Sequence, residues 1–103
     1  METFVKIGTI IKVKYKHDGI EENQLCILAD VFEEEYLFQV ISINGYHSGS
    51  IEGYVRKQFF DDKQYSCTIS YLIEQLEKNV FIGFQEAKIF ENNPITNLEN
   101  ELE

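Results

Sequence analysis

Four side chains in this sequence carry groups suited to covalent or metal chemistry: Cys26, Cys67, His17 and His47. A cysteine nucleophile needs a base within hydrogen-bond reach, and a metal ion needs several ligands at close spacing. Neither thiol sits in a C-x-x-C, and no local motif joins a cysteine to a histidine. The histidines lie thirty residues apart, with no ligand spacing around either. The simpler reading is two reduced, buried thiols and two solvated turn histidines, because free cysteine behaves as a small hydrophobe. Gly45-x-x-x-Gly49 lacks the Lys-Ser or Lys-Thr and the helix start of a phosphate loop. Asp61 and Asp62 are neighbours, whereas glycoside hydrolysis needs two carboxyls facing across a cleft. The expectation is no catalytic, metal or cofactor-binding residue, no cofactor and no enzyme activity.

What remains is a surplus of carboxylates. The 103 residues carry 18 acids against 9 bases, a formal net charge of -9. From Asp18 to Glu35 there are seven acids and no Lys or Arg, whereas Lys6, Lys12, Lys14 and Lys16 precede them. A phosphate backbone repels such a surface, so direct nucleic-acid binding is not expected. Tyr54, Arg56 and Lys57 stand together, but the second basic aromatic strip of an RNA-binding sheet is missing. An acidic face attracts basic proteins and speeds their encounter. The competing explanation is that the charge only keeps the protein in solution. The acids placed to meet a basic partner are Glu33, Glu34, Glu35, Asp61 and Asp62, with Glu21 and Glu22 second.

The elements that must hold these residues are read from periodicity. Thr9, Ile11, Val13 and Tyr15 alternate with Ile10, Lys12, Lys14 and Lys16, which predicts a half-buried strand. His17-Asp18-Gly19 marks a turn. Asn23 to Phe32 is apolar on both faces and predicts a more central strand, with a short helix as the alternative. Glu33-Glu34-Glu35 is a charged reversal, followed by a strand from Tyr36 to Ile43 and a hairpin beginning at Asn44-Gly45. Ser50 to Phe60 reads as another strand, and Gly53 within it marks a bend or a close approach of another backbone. Thr68 is the expected N-cap of one amphipathic helix to about Asn79, with Ile69, Leu72, Ile73, Leu76 and Val80 on its apolar stripe. Gly83 permits a reversal into a last strand, Phe84 to Glu91, which Asn92-Asn93-Pro94 stops.

This order predicts a mainly β, α+β domain: a small bent antiparallel sheet or open barrel, with one helix before the last strand. Residues 1–92 are expected to form a single compact domain and 93–103 an acidic, frayed tail. No apolar run approaches a membrane span, and Met1 to Lys6 lacks the order of a signal peptide, so no membrane partner and a cytoplasmic location are expected.

Two segments carry a family resemblance: Gln39-Val40-Ile41-Ser42-Ile43-Asn44-Gly45-Tyr46-His47-Ser48-Gly49 and Thr68-Ile69-Ser70-Tyr71-Leu72-Ile73-Glu74-Gln75-Leu76. Together they resemble a family of bacterial polymorphic-toxin immunity proteins, immunity family forty-five. The shared pattern is an apolar strand, a Gly-x-x-x-Gly turn, another strand, a Ser or Thr cap and an aromatic-Leu-Ile-Glu helix, then a short final strand, here Phe84 to Phe90. The matching positions are Gly45, Gly49, Thr68, Tyr71, Leu72, Ile73 and Glu74. They belong to a fold more than to a contact surface. The resemblance implies an immunity protein that binds and neutralises a cognate toxin. Many such toxins are nucleases and therefore basic, which an acidic inhibitor would suit. The alternative is a small acidic interaction or scaffold module with an unrelated partner.

Overall fold

The computed structural model describes residues 3–58 and 64–91. Among them are seven strands: β1 (Phe4–Lys6), β2 (Ile10–His17), β3 (Ile20–Ala29), β4 (Tyr36–Ser42), β5 (Ile51–Arg56), β6 (Ser66–Thr68) and β7 (Phe84–Glu91). Helix α1 (Ile69–Gln75) runs on into a π turn, Leu76–Val80, before β7. Five strands form one sheet in the order β5-β4-β3-β2-β7, and β1 pairs with β6 in a second, two-stranded sheet. Every pairing is antiparallel, and the larger sheet is open, with β5 and β7 at its edges. The predicted mainly antiparallel β architecture with its helix before the last strand is the one observed.

Side-chain alternation sets which face of the sheet is covered. Ile11 and Val13 of β2, Cys26 and Leu28 of β3, Phe38 and Val40 of β4 and Val55 of β5 are buried together on one face. Leu72 and Leu76 press down on them, with Val5 and Cys67 of the small sheet closing the side. Thr68 caps the helix as expected, its hydroxyl accepting from the Tyr71 amide at 3.2 Å. Ile73, assigned to the same stripe, is only half-buried and lies outside the core cluster. The widening of the helix at Leu76 ends in a backbone bond from the Phe81 amide to the Leu76 carbonyl, 2.9 Å. Gly53 is a close approach, as predicted: a methyl group there would sit 3.1 Å from a Val80 methyl.

The structure adds to the sequence reading at two places and corrects it at one. β1 and β6 are too short for a period-two signal and were not anticipated; each exists because the other supplies its hydrogen bonds. The central strand begins at Ile20 and stops at Ala29, so Phe32 belongs to the following turn and is fully exposed rather than packed. The hairpin connection after β4 is an eight-residue loop with one 3₁₀ turn at Gly45–His47. Asn44 is extended there, with φ -141°, while Gly45 and Gly49 take positive φ. The Asn44 side chain explains this. Its oxygen accepts from Gln24 Nε2 at 2.6 Å and from the Leu25 amide at 3.0 Å, which ties the loop to β3.

Candidate functional site

The β3–β4 turn builds the most distinctive surface of the molecule. The Tyr36 amide donates to the Glu33 carbonyl at 3.1 Å, and the Asp30 side chain accepts from the Val31 amide at 2.9 Å. Gln39 Nε2 also donates to the Asp30 carbonyl. With its backbone held this way, the turn projects Phe32, Glu33, Glu34 and Glu35 outward. Beside it lies a cleft lined by residues 30–34 of the turn together with Ile7, Tyr36, Leu37, Lys57, Gln64 and Tyr65. Phe32 is fully exposed and Tyr65 is 69% exposed. Aromatic residues are enriched where proteins meet.

Glu33, Glu34 and Glu35 make no side-chain hydrogen bond or ion pair among the described residues. The Lys57 amide donates to the Glu35 carbonyl at 3.0 Å, extending the β4–β5 ladder to the foot of the turn. The Gln58 amide donates to Gln64 Oε1 at 3.1 Å. Lys57 and Gln64, which flank residues 59–63, therefore both border the cleft. Asp61 and Asp62 fall outside the described residues.

Glu21 and Glu22 lie elsewhere. They open β3, whereas the cleft follows its end, and the seven strand residues from Asn23 to Ala29 separate Glu22 from Asp30 by roughly 26 Å. Both are also engaged. Lys14 Nζ is 3.3 Å from Glu21, and the Tyr15 hydroxyl donates to Glu22 at 2.9 Å. Burial, with the Glu22 carboxylate second, pushes the Tyr15 phenol up to about 12. The structure thus places Glu33, Glu34 and Glu35 near Lys57 and Gln64, and it sets Glu21 and Glu22 apart.

The thiols occupy the core. Burial pushes Cys26 and Cys67 each up to about 12, which keeps them protonated and unreactive at neutral pH. Cys26 Sγ lies 3.9 Å from Ser42 Oγ, and Ser42 donates to Glu52 at 2.8 Å. Ser42 is fully buried, and among the described residues neither imidazole hydrogen-bonds it or either thiol. This arrangement satisfies buried polar groups and presents no activated nucleophile.

The sequence reading named the acids of the turn but not Phe32, Tyr65 and Ile7, which line the same cleft. Phe32 beside three glutamates was the available signal, and it was obscured by assigning Phe32 to the strand.

No family model, curated protein or solved structure matches this chain.

Proposed function

We propose that this protein is an immunity protein: it binds a cognate bacterial toxin and neutralises it by covering a basic active site or its entrance. The observation that carries the reading is the cleft. There, exposed Glu33, Glu34 and Phe32, on a turn held by backbone hydrogen bonds, stand beside exposed Tyr65. Such a surface offers an apolar anchor and a charged rim together, the arrangement of a protein-binding hot spot. The likeness of residues 39–49 and 68–76 to immunity family forty-five supports the same role. The protein acts by occupancy, without turnover.

The rim carboxylates speed association with a basic partner, so their effect fades as salt rises. The test is co-purification with the product of the adjacent toxin-domain gene, followed by association kinetics at low and high salt. Reversing Glu33, Glu34 and Glu35 to Lys together should slow association at low salt; Asp61 and Asp62 form a second set. If neither set changes rate or affinity while the fold stays intact, the acidic-face mechanism is wrong.

A further inference from the structure

The two edges of the five-stranded sheet are finished differently. At the β5 edge the Arg56 amide donates to Gln75 Oε1 at 3.1 Å and the Arg56 carbonyl accepts from the Tyr71 hydroxyl at 2.8 Å. Helix α1 therefore covers that edge, and Gly53 lies beneath Val80. The β7 edge has no such cover among the described residues. It is eight residues long, and an unpaired edge of that length is a template for another strand.

The charges on β7 are specific. Lys88 stands directly opposite Lys12 of β2, a like-charge pairing that costs stability unless an anion joins it. Glu86 stands opposite Lys14, whose ammonium is already taken by Glu21. Among the described residues Glu86 and Lys88 make no ion pair of their own, and both are exposed. Irregularities in the β2–β7 ladder fall between Ile10 and Ile11 and between Lys14 and Tyr15. They leave Glu86 to Ile89 as the regular stretch.

We infer that β7 pairs antiparallel with β7 of a second copy of this chain about a two-fold axis at Ala87, so that Glu86 of each copy faces Lys88 of the other. The register follows from the residues. Moving it by one would set the open face of the sheet against the core face. Moving the axis to Glu86 or to Lys88 would oppose identical charges. At Ala87 both pairs are unlike, and each Lys88 gains the carboxylate it lacks. A two-fold contact of this kind closes on itself and leaves no free β7 edge. It stands independently of the toxin reading, since it uses neither the cleft nor the turn.

The experiment is sedimentation of the full chain over a range of concentrations, with Glu86→Lys, Lys88→Glu and the double exchange. The double exchange has the same composition and net charge as the natural chain, so general repulsion cannot explain its behaviour. The full chain should dimerise. Each single reversal should weaken dimerisation about tenfold, and the double exchange should restore it to within about threefold. Circular dichroism confirms folding; if a reversal unfolds the chain, Glu86→Gln and Lys88→Gln replace it, each weakening dimerisation by about threefold. A chain that stays monomeric at roughly millimolar concentration overturns the inference. So does a dimer indifferent to the single changes, which would use another face. A double exchange that fails to restore pairing would overturn the register.

Discussion

Gly83 and Lys16 are locked backbone to backbone. The Lys16 amide donates to the Gly83 carbonyl at 2.9 Å, and the Lys16 carbonyl fills the space a side chain on Gly83 would need. Gly83 also has φ +77°, a conformation other residues adopt at a cost. This contact sets where β7 begins along β2. Gly83→Ala should destabilise by at least about 2 kcal/mol. Gly19→Ala, at φ +79° in open space, should cost only about 1 kcal/mol. Urea midpoints of the two variants check the difference.

Leu72 and Leu76 are fully buried under the helix, whereas Ile73 lies to one side. Truncating either leucine to Ala should cost roughly 2–5 kcal/mol. Ile73→Ala should cost about 1 kcal/mol, since it removes less buried area and leaves no enclosed cavity. Equal losses at all three positions would show that the helix sits with a different face inward.

Asn44 serves Gln24, which is buried, as well as the Leu25 amide. Asn44→Ala should cost about 0.5–1.5 kcal/mol, since Gln24 Nε2 keeps the Asn44 backbone carbonyl at 2.7 Å while the Leu25 amide loses its side-chain acceptor. Hydrogen exchange at Leu25 should accelerate in the same variant. Unchanged exchange there would show that the loop does not depend on this side chain.

The folded thiols ionise near pH 12 instead of 9, so the unfolded chain releases these protons first as pH rises. Stability from the thiols is whole below about pH 9 and is lost progressively towards pH 12. Tyr15 adds to the loss from about pH 10 upward. Replacing Cys67 with Ala should flatten the alkaline decline by up to about 1.4 kcal/mol per pH unit. A decline of the same slope in that variant would assign it to other groups.

Phe32 and Tyr65 to Ala should leave stability within about 0.5 kcal/mol, since both are exposed. Binding to the toxin should fall by tenfold or more if the aromatics anchor it, about 1.4 kcal/mol. Normal binding by the double variant would move the interface away from the cleft.

The strands and the helix were legible where one face is buried and the other wet. Ile11 and Val13 against Lys12 and Lys14 gave β2 its period, and Leu72 with Leu76 gave the helix its stripe. β1 and β6 were not legible, because three-residue strands have no period and exist only through a pairing distant in sequence. Phe32 was misplaced because an apolar residue at the end of an apolar run carries no mark of where the backbone turns. The separation of Glu22 from Glu33 followed from the length of β3, which depended on finding its start at Ile20. The Glu86–Lys88 pattern was visible in sequence, but it had no meaning until β7 proved to be an edge.

The pairings of the sheet also govern the order of assembly. β2 lies between β3 and β7, and Val5 of β1 meets Cys67 of β6. A growing chain can zip β2, β3, β4 and β5 by successive hairpins, but the helix, β1 and β7 can dock only after the last third has been synthesised. Such distant contacts slow folding. Until they form, β2 exposes an unpaired side and the apolar face carrying Ile11, Val13 and Phe38 lacks its cover. The nascent protein passes through a stage prone to aggregation, and the helix brings that stage to an end.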